Sequence, residues 1–364
     1  MIKIITTVSE ARALRKEWNT LARYDTRDGF FKTWEWNIGW FEYIGVKKSA
    51  KLFIITVRNE QGKLIGLAPF CRYIYQDLGF RLQAIMPMGR EIVSGDYLDI
   101  LTDPISKNEV LNSVLEVLYQ YRNIWDIVLL AELLVDSETL SKVLSWRKQN
   151  NFLFKLQEQR ICPYAQLPNT YEEFWNKLSS KMRNNIKRRT KKIKNAGMLL
   201  DVFQGIETIE YLDWLFELHK KRWLKNNFLG NFEKSGFKEF IKWICNNLLP
   251  PAQVLLYCLH KDNQPIGCQL VFDWHKVRIF YQCGRDPAYN KWGIGQLLIT
   301  EAIKDAINRG IKFIDFLRGD EKYKKDWCPL TRISVTACIG HGIKTWFYFK
   351  TEKLKNFLKN IICK

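Results

Sequence analysis

The chain has 364 residues, of which 57 are Lys or Arg and 38 are Asp or Glu, so its formal net charge is +19. Hydrophobic residues make up 47% of the sequence, which excludes a largely disordered chain, and no uncharged apolar run reaches the roughly 18–20 residues that a membrane span requires. This length predicts two domains. The N-terminal segment shows no secretory signal, so we expect a complete, cytoplasmic protein.

In chain order, the sequence pattern of the first half predicts strands and helices, and two of the strands form a hairpin. The hairpin joins Lys51–Arg58 to Lys63–Tyr75 across a turn that ends at Gly62. The other predicted strands are Ile2–Ile5, Leu82–Met86, Tyr97–Leu101, Ile127–Leu130 and Phe152–Gln157, and the predicted helices are Val8–Tyr24, Thr33–Ile44, Lys107–Tyr121 and Ser137–Asn150.

The second half repeats this order of elements after Pro163 and Pro168. Its predicted helices are Tyr171–Ala196, Ile206–Asn226, Phe232–Leu248, Gly293–Arg309 and a basic helix at the end of the chain. Its predicted strands are Met198–Gln204, Gln253–His260, Pro265–Trp274, Arg278–Cys283, Lys312–Leu317 and Thr331–Ile339. Two halves of this kind predict an α+β fold with mixed sheets.

The cysteine and histidine spacings argue against disulfides and metals. The nine cysteines form no Cys-x-x-Cys pair, and the four histidines lack a spacing typical of metal ligands. We therefore expect reduced thiols, no zinc cage and no metal cofactor.

The positive charge is concentrated in two segments. Residues 1–150 carry 20 basic and 18 acidic side chains, whereas residues 151–364 carry 37 and 20. Lys181–Lys194 holds eight basic residues and no acid, and Lys344–Lys364 holds six Lys against Glu352. This distribution argues against a general polyanion-binding protein.

A glycine-containing loop follows the predicted strand Arg278–Cys283 and opens the next helix. It has the sequence Asn290-Lys-Trp-Gly-Ile-Gly-Gln296. Glycines allow a ligand to approach the backbone closely, and the start of a helix presents unpaired N–H groups, which suits a pyrophosphate. The alternative is an ordinary strand-to-helix turn in which the glycines only relieve strain. The loop is neither a Walker loop nor a dinucleotide fingerprint.

This Asn-x-x-Gly-x-Gly loop resembles the acyl-CoA pyrophosphate loop of the GNAT acyltransferase superfamily, with Asn290 where that family usually has Gln or Arg. Four segments resemble the CelD/BcsL-like acetyltransferases, namely Ser180–Arg189, Lys220–Trp223, Tyr281–Pro287 and Phe316–Trp327. That group has two tandem GNAT-like folds and is related to the Fem peptidyltransferases. The resemblance is strongest over residues 165–330.

The resemblance implies two tandem GNAT-like domains, residues 1–164 and 165–364, each with a mixed, mostly antiparallel sheet flanked by helices. The first domain matches the family only loosely. We expect it to be a degenerate GNAT-like domain that lies on the acceptor side. The second is expected to bind acetyl-CoA or another acyl-CoA. The implied cofactor-binding residues are Gln282, Cys283, Gly284, Arg285, Asn290, Lys291, Gly293, Ile294, Gly295 and Gln296.

Acyl transfer from a thioester needs a base for the acceptor and an acid for the departing thiolate. The polar segment after Lys312–Leu317 offers Glu321 as the base, Asp320 as a rival base and Tyr323 as the acid. A solvated loop anchored by a buried Trp327 is the alternative. No Ser/His/Asp or Cys/His arrangement is visible, so we expect direct attack in a ternary complex. The predicted substrate-binding residues are Arg183, Arg188, Trp223, Arg318, Lys324 and Trp327.

The two basic segments allow several interpretations. Lys181–Lys194 surrounds an apolar stripe that includes Phe174, Leu178, Met182, Ile186 and Ile193, as in a docked helix with a solvated positive face. An anionic group of substrate or CoA, a tRNA backbone and an anionic membrane surface are the other candidates. The basic helix at the end of the chain either packs on its own domain or contacts a membrane peripherally.

Together, these patterns predict a GNAT-type N- or O-acetyltransferase. It would move an acetyl or other acyl group to an amino or hydroxyl group of a small acceptor, such as a sugar-like polysaccharide precursor. The alternatives are a Fem-like aminoacyl transferase that uses aminoacyl-tRNA, and a non-catalytic module of a polysaccharide or membrane assembly.

Overall fold

A computed structural model describes residues 1–224 and 230–362, without the side chains of residues 158 and 356–362. The chain forms two units. Unit 1 contains Met1–Arg160 and Ile333–Lys364, and unit 2 contains Ile161–Arg332. The predicted end of a helix at Asn226 lies outside the described residues.

The strands occur largely where the alternation of apolar residues predicts them. Within the described residues they are β1 (Ile2–Ile5), β2 (Lys51–Arg58), β3 (Leu64–Asp77), β4 (Phe80–Pro87), β5 (Leu101–Thr102), β6 (Ile127–Leu134), β7 (Leu153–Gln166), β8 (Leu199–Gln204), β9 (Ala252–Lys261), β10 (Gln264–Trp274), β11 (Val277–Arg285), β12 (Phe313–Asp315) and β13 (Leu330–Gly340).

The α-helices of the same residues are α1 (Val8–Ala13), α2 (Arg15–Tyr24), α3 (Trp34–Trp40), α4 (Lys107–Gln120), α5 (Glu138–Gln149), α6 (Tyr171–Lys177), α7 (Ser180–Asn195), α8 (Thr208–Leu224), α9 (Phe237–Asn247), α10 (Ile294–Asn308), α11 (Lys322–Lys325) and α12 (Gly342–Ile362). None of the described helices is long and apolar enough to cross a bilayer.

The sheet of unit 1 has the strand order β1-β2-β3-β4-β6-β13, and β5 pairs with β3. The β4/β6 pair is parallel, and β6 pairs antiparallel with β13. Helix α4 covers this sheet, and its residues Val110, Val114 and Leu118 are fully buried in the core of the unit.

The sheet of unit 2 repeats this arrangement with the order β8-β9-β10-β11-β12-β7. The β11/β12 pair is parallel, and β12 pairs antiparallel with the end of β7. Helix α10 packs on this sheet through Leu298, Ala302 and Ile303. The two mixed, mostly antiparallel sheets with their helices confirm the predicted α+β fold.

The unit boundaries differ from the predicted domains at the C-terminal end. We expected residues 165–364 to form the second domain, but Ile333–Lys364 belong to unit 1. The reason is that residues Ser334 to Gly340 of β13 pair with β6. The backbone groups along that edge of β6 therefore find their hydrogen-bond partners in β13.

The predicted helix Tyr171–Ala196 is wrong in one respect, because it is broken into α6 and α7. Leu178 has extended backbone angles, and the Ser179 side chain accepts a hydrogen bond from the Met182 N–H to cap α7. The apolar stripe itself is confirmed, since Phe174, Leu178, Ile186 and Ile193 are buried in the core of unit 2 and Met182 packs against it.

The predicted strand Tyr97–Leu101 is also mostly absent, and only Leu101–Thr102 pair as β5. The preceding chain is turned repeatedly, with positive φ angles at Ile92, Ser94 and Tyr97. An extended strand requires negative φ, so these turns delay pairing until Leu101.

Candidate active site in unit 2

The glycine turn, Gly293–Gln296, lies where a short 3-10 helix (Pro287–Trp292) meets α10. Asp286 caps that 3-10 helix by accepting a hydrogen bond from the Ala288 N–H. Gly293 has φ +73°, a value that favours glycine. The N–H groups of Gln296 and Leu297 donate to the Gly293 carbonyl oxygen, and the N–H groups of Ile294 and Gly295 precede these bonds at the positive end of the helix dipole.

Arg189 of α7 lies across this turn. A Cβ on Gly293 would collide with its side chain, at 2.6 Å from Nε. Its Nη1 also donates a hydrogen bond to Gln296 Oε1. Gly293 therefore lets an arginine pack directly on the backbone at the start of α10.

Other cations surround the same turn. Arg285 Nη1 lies 3.6 Å from the position that a Cβ of Gly295 would occupy, with no other heavy atom within 4 Å of that position. Lys192 Nζ lies 4.0 Å from the ring centroid of Trp292. The space above Gly295 is thus open and bordered by positive groups, which suits an anionic ligand.

Arg189 was not among the predicted substrate-binding residues, although the sequence contained a signal for it. Met182, Ile186, Arg189 and Ile193 follow one another at spacings of three or four, so Arg189 lies on the packed side of α7. The two arginines that we predicted are elsewhere. Arg188 is exposed and donates to Asn185 Oδ1 at 3.2 Å.

Arg183 closes the end of α6. Its Nη1 donates to the carbonyl oxygens of Asn176 (3.0 Å) and Leu178 (2.7 Å), and its Nη2 donates to Ser180 Oγ. Carbonyls at a helix C-terminus lack partners within the helix, so this guanidinium stabilises the break between α6 and α7. A substrate-binding role for Arg183 and Arg188 stays a prediction.

The strands β11 and β12 separate at the predicted site. They pair at three positions, from Val277 to Ile279 on β11 and from Phe313 to Asp315 on β12. Beyond Ile279, β11 continues to Arg285 while paired with β10. Past Ile279, the edge of β11 that faces away from β10 has no paired strand among the described residues, and Gln282 and Cys283 lie in this stretch.

Gly284 in β11 is required for packing. A Cβ at this position would lie 2.7 Å from the backbone nitrogen of His219 and 2.8 Å from Leu218 Cβ, both on α8. Real Cβ atoms do not approach so closely, so Gly284 lets α8 lie directly on β11. The predicted contact of Gly284 with a cofactor stays a prediction.

The chain turns sharply after β12 to form the polar segment. Asp315 accepts a hydrogen bond from the Leu317 N–H at 2.7 Å, and Arg332 Nη2 donates to its other oxygen at 2.7 Å. Leu317 has φ +56°, which is costly for a branched side chain. The buried Asp315 carboxylate thus fixes the direction in which the segment leaves the sheet.

Lys324 holds this segment together. Its buried Nζ donates to the carbonyl oxygen of Arg318 at 2.8 Å and forms an ion pair with Glu321 Oε2 at 2.9 Å. Gly319, with φ +128°, leaves space for that ammonium. Lys324, predicted to bind substrate, is therefore engaged with the loop itself.

The predicted catalytic residues differ in their surroundings. Burial raises the pKa of the Tyr323 hydroxyl, and the neighbouring Cys283 and Glu321 raise it further. Part of the Tyr323 side chain is nevertheless exposed. Its pKa keeps the hydroxyl protonated at neutral pH, as an acid requires. The Glu321 side chain is 55% exposed, and Asp320 is exposed.

Trp327 is buried in the core of unit 2. Its ring lies parallel to that of Phe174, with 6.4 Å between the ring centroids. This position favours the alternative interpretation, in which Trp327 anchors the loop.

Trp223 of α8 donates its indole N–H to His219 Nε2 at 2.9 Å. Burial, together with the positive charge of Arg222, lowers the pKa of His219 to about 4. Arg222 Nη1 also donates to Cys283 Sγ at 3.0 Å. The pattern of apolar residues gave no signal for a buried, neutral histidine behind β11.

No metal centre accompanies these residues. In the part of the chain that the structure describes, no three His, Cys, Asp or Glu side chains cluster so that they could hold a metal ion.

Residues 180–325 match the family model described as an acetyltransferase (GNAT) domain. The chain has a GNAT-like acyltransferase fold. The match begins at α7 and ends after α11, so it contains the glycine turn, the separated strands and the polar segment. No curated protein matches the chain.

Solved structures resemble the chain along nearly its whole length. FemX has a TM-score of 0.63 and 11% identity, covering 96% of this chain and 99% of FemX. The C-terminal domain of a putative lysylphosphatidylglycerol synthetase from Agrobacterium fabrum has a TM-score of 0.55 and 9% identity, covering 94% and 96%. A tandem GNAT protein from the clavulanic acid biosynthesis pathway has a TM-score of 0.50 and 8% identity, covering 94% and 99%. At these identities, the similarity concerns the fold alone.

Proposed function

We propose that the protein is an acyltransferase that binds acyl-CoA at the glycine turn and transfers the acyl group to an amino or hydroxyl group of a small acceptor. The observation that carries this proposal is the open space above Gly295, which Arg285 borders at the start of a helix, while the Arg189 side chain lies against the neighbouring Gly293. A pyrophosphate fits it, because helix N–H groups and guanidinium groups both bind phosphate oxygens.

Arg189 is suited to exchange partners when the cofactor binds. Without phosphate it donates to Gln296 Oε1, which is a neutral acceptor. A phosphate oxygen is a stronger acceptor for a guanidinium. The phosphate would therefore replace the Gln296 side chain, and the Gln296 amide would be free to contact the same ligand.

The pantetheine arm would extend along the free edge of β11. Backbone N–H and C=O groups of Gln282 and Cys283 lie on the part of β11 that continues past its pairing with β12. An amide-containing chain can pair with such an edge as an added strand does. This path leads from the glycine turn towards the polar segment after β12.

The chemistry proposed for the polar segment is direct transfer. The acceptor nitrogen or oxygen forms a bond to the acyl carbon as the carbon–sulfur bond breaks, Glu321 or Asp320 takes the acceptor proton, and Tyr323 protonates the thiolate of CoA. The raised pKa of Tyr323 keeps its hydroxyl protonated at neutral pH, so a proton is available there for the thiolate. Glu321 must leave its ion pair with Lys324 to act as the base.

A Fem-like aminoacyl transferase is the second candidate. The observation in its favour is the outward face of α7, where Lys181, Arg188, Lys191 and Lys194 are exposed. A row of exposed cations attracts a nucleic-acid backbone, and its affinity falls steeply with salt. The CelD/BcsL-like branch, an acetyl donor and a polysaccharide-precursor acceptor remain parts of the first proposal.

Calorimetric titration with acetyl-CoA tests the proposal. Gly295→Trp should abolish binding, because a Cβ at this position has only Arg285 Nη1 as a neighbour, at 3.6 Å, so the indole extends into the space proposed for the pyrophosphate. Asn308→Trp adds the same bulk at an exposed position at the other end of α10 and should bind like the unaltered protein. Failure of the unaltered protein to bind acetyl-CoA, with salt-sensitive binding of aminoacyl-tRNA, would favour the second candidate.

A further inference from the structure

Helix α12 of unit 1 carries an apolar stripe on the side that faces solvent. Ile343, Trp346, Phe347 and Leu354 are 71%, 42%, 52% and 58% exposed. They follow one another at spacings of three, one and seven residues, which places them on one face of a helix. Large apolar side chains grouped in this way mark an interaction surface.

The opposite face of α12 packs on the rest of unit 1 and forms hydrogen bonds with it. Thr345 is buried and donates to the carbonyl oxygen of Asp126 at 3.0 Å, and the buried Tyr348 donates to Asp77 Oδ2 at 3.1 Å. Glu352 forms an ion pair with Lys155. The helix is therefore anchored by its polar and buried side, and the apolar stripe is directed away from the unit.

Exposed lysines accompany the stripe. At 100° per residue, Lys353 lies on one flank of the stripe and Lys344 and Lys355 lie on the other. Lys350 lies within the stripe, and its Nζ is 5.4 Å from the ring centroid of Trp346. Lys344 forms an ion pair with Asp126 Oδ2 at 3.0 Å, and Glu352 points to Lys155, so among the described side chains of α12 Lys350, Lys353 and Lys355 supply the outward positive charge.

We propose that this stripe, defined as Ile343, Trp346, Phe347 and Leu354, docks on an anionic lipid bilayer. A helix that lies in a membrane interface has an apolar side flanked by lysines, whose long stems reach back to the headgroups. Trp is suited to that interface because its ring is apolar and its N–H is polar. Lysines on both flanks attract anionic lipids.

The charges disfavour a second copy of the chain as the occupant. Two stripes packed face to face would bring the flanking lysines of both copies together, and like charges at close distance repel. A fluid, anionic surface instead complements the convex apolar stripe and its lysines at once. This docking is independent of the glycine turn in unit 2, so it goes beyond the proposed activity.

Sedimentation with sucrose-loaded vesicles tests the proposal. The protein should bind vesicles of phosphatidylcholine and phosphatidylglycerol, and much more weakly those of phosphatidylcholine alone. The double variant Trp346→Ser/Phe347→Ser should lower the partition coefficient at least about tenfold, because it removes two interfacial apolar side chains. Each of Lys353→Ala and Lys355→Ala should lower it about fivefold on anionic vesicles.

Two controls keep this test decisive. Ile105→Ser removes a 96% exposed apolar side chain elsewhere in unit 1 and should leave vesicle binding unchanged. Circular dichroism should show that the double variant folds, since both replaced side chains are exposed. Equal binding to both kinds of vesicle, or full binding by the double variant, would overturn the proposal. So would a dimer in analytical ultracentrifugation that the double variant abolishes, because the occupant would then be a second copy.

Discussion

Replacing Arg189 by Ala tests the cationic border of the glycine turn. The change removes the guanidinium that lies across Gly293 and its hydrogen bond to Gln296. Ala is a strong helix former, so α7 should remain intact. The loss of one hydrogen bond predicts a decrease of about 1 kcal/mol in the free energy of unfolding.

The effect on acetyl-CoA binding should be larger than the effect on stability. A hydrogen bond between an ionised donor and a phosphate contributes about 1.5–3 kcal/mol, which corresponds to an affinity about ten- to a hundredfold lower without it. Arg188 provides the matched control, because it is the neighbouring arginine, is exposed, and donates to Asn185 on its own helix. Arg188→Ala should change the affinity less than about twofold.

Isothermal titration of acetyl-CoA into both variants measures the difference, with thermal unfolding of each as a check on folding. An equal loss of affinity in both variants would show that α7 acts only through its overall charge. Unchanged affinity in Arg189→Ala would refute the placement of the pyrophosphate at this turn.

Two further predictions concern groups whose pKa is shifted. Tyr323→Phe should lower kcat about a hundredfold or more, since it removes the proposed acid, and should leave the Kd for acetyl-CoA unchanged. Because the pKa of Tyr323 is raised, the pH profile of kcat in the unaltered protein should show no basic limb from this group below about pH 10. An active Tyr323→Phe would remove it as the acid. His219, whose pKa is lowered from 6.5 to about 4 by burial and by the nearby Arg222, binds a proton more readily in the unfolded chain than in the folded protein. Stability should therefore fall as the pH drops from about 6.5 to about 4, by about 3 kcal/mol. Urea unfolding at several pH values should show that His219→Gln lacks this part of the dependence; an unchanged pH dependence in that variant would contradict the role assigned to burial.

Local patterns in the sequence were sufficient to predict most elements and the glycine turn. The spacing of apolar residues defines the face of α7 that packs, and it includes Arg189 as well as Ile186 and Ile193. Gly293 follows the 3-10 helix Pro287–Trp292 and adopts the positive φ that precedes the start of α10. These features depend on residues close together in the chain, so periodicity and backbone preference reveal them.

The same patterns could not show which cation reaches the turn. That depends on contacts between α7 and the start of α10, where Arg189 reaches Gly293 and Gln296, and on the break at Leu178 and Ser179, where Arg183 closes the end of α6 instead. The spacing of apolar residues is the same whether the helix is continuous or broken, so the sequence does not reveal the break.

The sequence alone therefore determined the α+β composition, the repeated order of elements and the location of the glycine turn at the start of α10. The tertiary structure decided that β13 pairs with β6, about 200 residues earlier, and that Gly284 serves the contact between β11 and α8. It also decided that Ile343, Trp346, Phe347 and Leu354 of α12 face outward. Each of these depends on partners distant in the chain, and an amphipathic pattern identifies a face without identifying what covers it.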